Sequence, residues 1–473
     1  MTQKEVSTKA KLAILSAGLM SFVGILVETS MNVTFPTLIS ELHVSLSTVQ
    51  WLTTAYLLLV TIVMSTTAFV LKRFAPKAIF LFAAGMCFVG GLLCLFAPTF
   101  WILLIGRLLQ ATATGLATPL MFQLIFTHVP IKSLGLYTGL ASVIISLAPA
   151  LGPTYGGILT STWSWRAIFV GILPILALVT IFGSFTIDGS AQRVGEQKFD
   201  FIGALLLAGV FTMVLFTFSS AGSNGFLSPA FLLWILADVV VIAVFVAYAI
   251  KGKRHLFDYS ILKRPVLRLR LFNYFGLQFT NIGLSFLLPL FAQTVLGATA
   301  MTAGLMLLPG ALVGMVIAPF AGRFYDHHGP QGILTFSISM LLLSLVLFFA
   351  FTDSLTIVTV AILFTVLRVG FNSGFGVAIS DGSLYVDGSQ KADQNSMFSM
   401  MQQYAGSLGT SVLSAVVSAA ALSTDSKTSM YIGGKADFAL LIVLAVALFA
   451  SILYTHLRYL GKESSPATAS MEA

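Results

Sequence analysis

The sequence predicts an all-α polytopic membrane protein, and its composition and hydropathy pattern support this fold class. Of the 473 residues, 57% are hydrophobic and only 9% are charged, and the mean hydropathy is +0.97. A water-soluble protein of this length does not need so apolar a composition. Apolar stretches long enough to cross a bilayer core of ~30 Å recur from about residue 12 to residue 458. They leave no segment of useful length for a soluble domain.

Polar, glycine and proline clusters divide this apolar sequence into about fourteen predicted spans. The spans are residues 12–39, 47–71, 78–98, 100–127, 133–160, 165–187, 200–221, 228–250, 271–296, 298–322, 331–351, 355–379, 393–421 and 437–458. The first span is too long for the apolar core of a signal peptide and lacks a convincing small-residue cleavage site. We therefore interpret it as a retained helix.

Basic residues predict how the spans are oriented. Three Lys and Arg residues between positions 72 and 77 follow the second span, and seven between positions 251 and 270 follow the eighth. Cytoplasmic loops are enriched in Lys and Arg, so both connections are expected in the cytoplasm. With an even number of crossings, both termini are then cytoplasmic. Arg166, in a predicted outer turn, and an acidic inner loop near Asp381 are exceptions to this pattern.

The chain contains a weak internal repeat. The turn at residues 322–329, between the tenth and eleventh spans, matches the position of residues 68–75 between the second and third. Arg107 in the fourth span and Arg368 in the twelfth begin similar rows of small and polar residues on one helix face. Two similar six-helix halves around a midplane cavity are typical of alternating-access carriers. The predicted units are an N-terminal half, an inserted helix pair with its connection, a C-terminal half and a disordered cytoplasmic tail, at residues 1–187, 188–254, 255–460 and 461–473.

The fifth predicted span has a face of small residues and a proline beside it. Ala148, Gly152, Gly156 and Thr160 repeat every four residues, which places them on one helix face. Small side chains there allow another helix to approach closely. Pro153 removes one backbone donor, and in hydrocarbon the freed carbonyl needs a neighbouring helix or a cavity. The pattern favours a bending helix inside a bundle of a moving transporter, while an ordinary packing helix is the alternative.

These residues, together with other short motifs, resemble the major facilitator superfamily, specifically its fourteen-helix drug:proton antiporter branch of the EmrB/QacA type. The resemblance covers nearly the whole chain and implies two six-helix halves plus two inserted helices. The residues that match the antiporter motif of the fifth helix are Gly139, Ala148, Gly152, Pro153, Gly156 and Gly157. Arg107 and Gln110 match the fourth-helix motif, whose arginine the family assigns to proton coupling. Further matches are Trp51–Tyr56, Asn32 with Pro36, and Trp165–Phe169.

One departure from the family pattern concerns gating. In the first inner turn, Ala68, Lys72 and Ala75 stand where the family has Gly, Asp and Gly. Lys72, followed by Arg73, therefore does not supply the acidic latch that the resemblance implies for this turn. The second copy of the turn is expected to carry more of the gating, through Gly322, Asp326 and Gly329.

Glu28 and Arg107 are the candidate proton-coupling residues. The branch commonly has an acid at the position of Val27, and here Glu28 follows it, as in lincomycin-resistance-like members. A permanent charge at this depth costs several kcal/mol unless it is paired or hydrated, so protonation and a cargo cation are expected to exclude each other there. Arg107 stays charged, so its expected role is electrostatic. A structural acid and a bundle-stabilising arginine are the alternatives.

Other intramembrane polar residues are candidates for contact with cargo. Asp238, near the centre of the eighth span, suits cation recognition, and pairing with a neighbouring helix or a lipid headgroup explains it equally well. The remaining candidates are Asn32, Gln110, Gln278, Asn281, Arg368, Gln402 and Gln403. Interhelical hydrogen bonding is the alternative for this group.

The sequence predicts a transporter rather than an enzyme. It has no phosphate-binding Gly-rich loop with Lys and Ser or Thr, no His-Glu-x-x-His helix and no cysteine ligand cluster, so neither a metal nor another cofactor is expected. The basic residues adjoin membrane spans, which argues against nucleic-acid binding.

The resemblance implies a proton-coupled secondary exporter of lipophilic, in some cases cationic, drugs or toxic compounds. Such a protein acts as a monomer in a bacterial inner or plasma membrane, and its partners are the small-molecule cargo, protons and membrane lipid. The alternatives are an exporter of a lipid, peptide or metabolite, an uncoupled facilitator, and a non-transporting membrane sensor with a carrier fold.

Overall fold

The computed structural model describes residues 6–130, 134–189, 200–251, 259–387 and 390–460. Within these ranges the regular secondary structure is helical, with no strand. The α-helices are α1 (Thr8–Met31), α2 (Phe35–Leu42), α3 (Leu46–Val49), α4 (Trp51–Arg73), α5 (Pro76–Leu95), α6 (Phe100–His128), α7 (Leu134–Thr162), α8 (Ala167–Thr186), α9 (Phe201–Asn224), α10 (Pro229–Lys251), α11 (Pro265–Thr294), α12 (Ala300–Leu305), α13 (Leu308–His328), α14 (Pro330–Ala350), α15 (Ile357–Gly382), α16 (Lys391–Ala420) and α17 (Ser426–Thr455).

The all-helical membrane prediction is confirmed. In the described part of the chain, twelve helical segments are long and apolar enough to cross a membrane. The first of them joins α1 and α2 through a short 3₁₀ turn and runs from Thr8 to Leu42. The predicted tail at residues 461–473 lies outside the described residues.

The predicted start of the last span, residue 437, is wrong by about three helical turns. Helix α17 begins at Ser426, where the Asp425 side chain accepts hydrogen bonds from the amides of Lys427 and Thr428 at 3.1 and 3.2 Å. An Asp in this N-cap position satisfies amide groups that lack partners within the helix. Hydropathy missed these turns because they carry polar residues.

Most contacts of helices α1–α8 lie within this set, and most contacts of α11–α17 lie within theirs, while α12 on α7 and α16 on α4 form the large contacts between the two sets. In the first set α1 lies against α6, α7 and α8, and in the second set α11 lies against α15, α16 and α17. Helix α9 packs against α4 and α16, whereas α10 packs on α9 and has no buried residue. The pair formed by α9 and α10 therefore lies at the periphery of the bundle.

The two sets of helices meet at one end of the bundle. We call the end where α1 begins the N-terminal end, and the end where α2 terminates the far end. A Cβ atom placed on Gly157 of α7 would lie 2.4 Å from the carbonyl oxygen of Ala300, and one placed on Gly304 of α12 would lie 2.1 Å from that of Pro153. Only residues without a side chain allow this approach of the two backbones.

Other contacts between the sets also lie toward the far end. The rings of Phe35 and Phe286 meet edge to face, with centroids 5.6 Å apart. The Gln293 amide donates to the carbonyl of Val33 at 3.0 Å, and the Ser407 hydroxyl donates to that of Thr54 at 2.8 Å. The far end is therefore closed by contact between the two sets of helices.

Inside the first set, the small-residue face of α7 lies against α1. A Cβ atom on Gly156 would lie 2.3 Å from the carbonyl oxygen of Ser30. The Ser30 hydroxyl donates to the carbonyl of Gly152 at 2.9 Å. Gly152 and Gly156 thus pack α7 on α1, whereas the adjacent Gly157 faces the second set.

At the N-terminal end each set has its own ion pairs. In the second set Arg270 of α11 donates through Nε to Asp381 of α15 at 2.5 Å, and both side chains are almost completely buried. Nearby, Arg264 binds the exposed Asp387 at 2.9 Å. The buried pair fixes α11 to α15, while the exposed pair is largely hydrated.

We expect Gly157→Leu or Gly304→Leu to oppose closure of the far end, because the new side chain would occupy space held by the facing carbonyl. The readout is disulfide formation between Ser161→Cys and Met301→Cys, at positions where the Met301 amide donates to the Ser161 hydroxyl at 2.9 Å. Cross-linking should fall several-fold. Gly85→Leu, where a Cβ meets no atom within 4 Å, is the control. Unchanged cross-linking in both far-end variants would contradict the prediction.

We expect Asp381→Asn to destabilise the protein by about 3–5 kcal/mol, because it leaves the Arg270 charge buried without its partner. Unfolding of the purified protein in detergent measures the change. Asp387→Asn removes an acid that is 74% exposed, so its effect should be about 1 kcal/mol or less. Equal effects of the two substitutions would show that burial does not set the strength of the inner pair.

Candidate functional site

Arg107 is the centre of a buried polar cluster between α1, α4 and α6. Its side chain has no exposed area, and Nη1 donates to Gln110 Oε1 at 3.0 Å. The guanidinium carbon lies 4.2 Å from the centroid of the Tyr56 ring, which is a cation–π contact. Nε and Nη2 have no hydrogen-bond partner. The guanidinium is therefore held on one side and keeps two donors available.

Tyr56 connects the three helices of this cluster. Its hydroxyl lies 3.1 Å from the carbonyl oxygen of Gly24 in α1 and 2.6 Å from Thr114 Oγ1 in α6. Thr114 in turn donates to the Gln110 carbonyl at 3.1 Å. The sequence analysis noted Tyr56 only as the last residue of a motif. Its position as the support of Arg107 depends on helix packing, which the sequence does not display.

Glu28 is buried beside this cluster without a direct partner. Its side chain is 5% exposed, and it makes no hydrogen bond or ion pair with any residue in the described ranges. Arg107 interacts with it through the Coulomb attraction of the two charges, at more than salt-bridge distance. Glu28 and Arg107 are thus an acidic and a basic side chain held beyond salt-bridge distance. Each of them can bind another partner.

Asn32, one turn after Glu28, does not bind the carboxylate. Its Oδ1 accepts a hydrogen bond from Thr53 Oγ1 at 2.9 Å, which joins the 3₁₀ turn after α1 to α4. Asn32 instead anchors the helix end next to the acid.

The second set of helices contains a related cluster around Arg368. Its Nη1 donates to Asn281 Oδ1 at 2.5 Å, and the Asn281 amide donates to Gln278 Oε1 at 3.2 Å. The guanidinium lies 5.1 Å from the centroid of the Phe371 ring, and Nε has no partner. An arginine, an amide and an aromatic ring thus occur together in each half. The second cluster has amides where the first has Glu28.

The other cargo candidates contact neighbouring helices or are buried within the bundle. Gln402 accepts from the Tyr274 hydroxyl at 2.9 Å, which ties α16 to α11. Asp238 accepts from Thr217 Oγ1 of α9 at 2.6 Å through Oδ2, and its Oδ1 has no partner. The structure therefore pairs Asp238 with the neighbouring helix of the peripheral pair. Gln403 is buried in α16.

The two inner turns lie at the N-terminal end. Gly329 has φ of 75°, a backbone conformation that favours glycine, and it ends α13 directly before Pro330. A Cβ on Gly322 would meet open space. Arg73, in the first turn, is exposed. The side chains of Lys72, Gly139 and Asp326 lie outside those that the structure describes.

Asp188 is an acid near the first inner turn that the sequence analysis did not select. Lys9 Nζ lies 2.5 Å from its carboxylate, and the hydrogen bond from Lys9 holds the pKa of Asp188 below its usual value. Its carbonyl accepts from the Lys77 amide at 3.3 Å, and His128 Nε2 lies 4.0 Å from Oδ2. Asp188 therefore connects α1, α5 and α6 at an end where the family acid is replaced by Lys72.

Asp437 was also missed, although it is an acid inside a helix. Its side chain has 0% exposure, and neither carboxylate oxygen has a hydrogen-bond partner. The predicted span began at this residue, so the sequence analysis treated it as a boundary position. Recognition of Asp425 as an N-cap would have placed Asp437 about three turns inside the helix.

In the described ranges, no group of three or more His, Cys, Asp or Glu side chains is placed to hold a metal ion. Inside a helix bundle, a proton and a cation can replace each other at an acid that is not paired with a nearby arginine.

Comparison with known proteins identifies the family to which this sequence belongs. The sequence matches the Major Facilitator Superfamily over residues 17–414. It is 32% identical over 423 residues to the uncharacterized MFS-type transporter YhcA of Bacillus subtilis (strain 168), covering 88% of this chain and 78% of that protein. It is 31% identical over 398 residues to the lincomycin resistance protein LmrB of Listeria innocua serovar 6a, covering 84% of each chain.

The fold is also similar to that of a solved structure. The crystal structure of a bacterial homolog of the human lysosomal transporter Spinster, in an inward-facing and unoccupied conformation, superposes with a TM-score of 0.66 at 13% identity. The superposition covers 98% of this chain and 100% of that chain. The protein therefore belongs to the major facilitator superfamily of membrane transporters.

Proposed function

We propose that this protein is a proton-coupled exporter of lipophilic, in some cases cationic, drugs or toxic compounds from a bacterial cell. The separated pair of Glu28 and Arg107 carries the proposal. An acid that is buried but unpaired gains stability from a proton or from a cationic cargo, and both cannot occupy it together. The name of the lincomycin-resistance relative supports a drug as cargo.

We infer fourteen membrane crossings, as in the EmrB/QacA branch. Twelve segments meet the length and hydropathy requirements. Helices α7 and α16, with 29 and 30 residues, are long enough to add two more. In this topology residues 1–187 and 255–460 form the two halves, and residues 188–254 contain the inserted pair. A single copy in the bilayer then provides the complete site, with lipid around it.

We propose that the N-terminal end faces the cytoplasm. Residues 72–77 and the described residues 259–270 of the second basic connection lie at this end, and cytoplasmic loops attract Lys and Arg. Both chain termini are then cytoplasmic, and the closed far end faces outward. In this proposal, a state with the far end closed receives cargo from the cytoplasm.

In the proposed cycle, cargo enters from the cytoplasm and displaces the proton from Glu28. The contacts at Gly157 and Gly304 then open, the far end admits external water, and an incoming proton releases the cargo. Arg107 stabilises the ionised Glu28 while neither ligand is bound, since its free Nε and Nη2 donors can turn toward the carboxylate. Each charge that crosses the membrane contributes ~2.3 kcal/mol per 100 mV.

The central test is uptake of ethidium into inverted vesicles, with lincomycin as a competing compound. We expect a protonophore to abolish accumulation, because no gradient then remains to drive it. Glu28→Gln should assemble normally and lose proton-driven accumulation. Glu41→Gln, which alters an acid that is 43% exposed at the far end, should keep it. Accumulation by Glu28→Gln at the wild-type level would reject Glu28 as the coupling acid.

We expect the Tyr56 ring, rather than its hydroxyl, to be required for coupling. Tyr56→Phe loses the hydrogen bonds to Gly24 and Thr114, worth about 1 kcal/mol each, and keeps the ring that supports Arg107. Tyr56→Leu removes a cation–π contact worth about 0.5–2 kcal/mol, which should lower proton-driven uptake several-fold. Uptake is compared at equal amounts of folded protein. A greater loss in Tyr56→Phe than in Tyr56→Leu would show that the hydroxyl matters more.

A further inference from the structure

Asp437 is a buried carboxyl in α17 that the proposed cycle does not use. It lies eleven residues after Ser426, about 17 Å along the helix axis from the start of α17. Its side chain has no exposed area and both oxygens lack hydrogen-bond partners. A group of this kind is costly if it is ionised, because neither water nor a donor compensates its charge.

The helices around Asp437 are closely packed. The next residue, Phe438, stacks on Phe348 in the last turn of α14, with ring centroids 5.1 Å apart. One turn earlier, a Cβ on Gly433 would lie 2.6 Å from the Cα of Val417 in α16. Helix α11 completes the enclosure on a further side. Asp437 therefore lies between α11, α14 and α16, below the loop that joins α14 to α15.

No charged residue is placed to compensate Asp437. Helix α14 contains no acidic, basic, histidine, cysteine or tyrosine residue. The basic residues of α11, Arg268 and Arg270, lie near its N-terminal end, and α16 carries its Lys and Asp residues only in its first turn. Lys435, two residues before Asp437 in α17, pairs with Asp353 at 3.7 Å.

We propose that Asp437 is a second proton-binding carboxyl, in the opposite half from Glu28, which holds a proton while the far end is closed. The proposal rests on the proposed proton-coupled transport. Protonation removes a buried negative charge that no hydrogen bond stabilises. This conformation therefore favours the neutral acid.

Few contacts separate Asp437 from the solvent at the far end. The Lys435–Asp353 pair at this surface is partly exposed, at 37% and 66% of the two side chains, so it contributes little to stability. Gly433 and Gly434 add no side chain to the barrier. When the far end opens, water that reaches this segment hydrates the carboxylate, and the proton leaves. Asp437 thus exchanges its proton with the side from which the proposed cycle takes protons.

Infrared spectroscopy of the purified protein in detergent tests whether Asp437 carries a proton when no cargo is present. We expect the carbonyl band of a protonated carboxylic acid at neutral pH in Glu28→Gln, where Glu28 contributes no band, and also after Asp353→Asn is added, and we expect its loss when Asp437→Asn is added to Glu28→Gln. The band should decrease at alkaline pH and on opening of the far end by Gly157→Leu. A band of equal intensity in the Glu28→Gln/Asp437→Asn double variant, or one that responds to neither change, overturns the proposal.

Proton counting in proteoliposomes provides the second measurement. Pyranine fluorescence and ethidium flux together give the protons moved per dye molecule. Because the proton of Asp437 leaves to the far-end side and returns from it, Asp437→Asn should move as many protons per dye molecule as wild type. A ratio that falls by one overturns the proposal. Asp437→Glu retains a carboxyl and should shift the infrared band without removing it, which keeps the test valid if Asp437→Asn does not fold. If wild type shows no proton-driven flux while the Asp437 band titrates, the proton site stands and the proposed transport function fails.

Discussion

A permanently charged guanidinium inside the helix bundle sets the arrangement of the N-terminal half. Arg107 cannot lose its charge, so α1, α4 and α6 supply an amide, an aromatic ring and an acid around it. These partners satisfy only part of the guanidinium, since two of its nitrogens have none. A fully paired arginine would hold one conformation too firmly, whereas in the proposed cycle a partly satisfied one exchanges partners as Glu28 changes its protonation state.

The glycines of α7 give this electrostatic change a mechanical consequence. Gly152 and Gly156 fasten α7 to α1, the helix that carries Glu28, and Gly157 presses against Ala300 in the other half. A displacement of α1 is therefore transmitted to the contact that closes the far end. Because close-packed helices have discrete arrangements rather than a continuous range, a small shift can open this contact. The N-terminal end is held differently, by ion pairs within each half, such as Lys9 with Asp188 and Arg270 with Asp381.

Several site residues were accessible to sequence reasoning, and others were not. Glu28 and Arg107 were found because an ionisable residue in an apolar span is conspicuous and matches a family motif. Tyr56 was not, since a tyrosine in a span is ordinary until its ring is found beneath a guanidinium. Asp437 was lost to a misplaced boundary, because hydropathy does not register a polar helix start capped by Asp425. Lys72 stands in the first inner turn where the family resemblance implies an acid, and Asp188 near this turn comes from a distant segment.

By itself the sequence determined that the chain is helical, that it spans the membrane and that ionisable residues lie within its spans. Composition and the length of apolar runs are sufficient for these conclusions, because hydrocarbon admits only segments whose backbone groups bond internally. The tertiary structure decided which polar groups meet, which acids remain unpaired and which end of the bundle is closed. These properties depend on the rotation and depth of each helix against its neighbours. They follow from contacts between residues hundreds of positions apart, such as Ser407 with Thr54.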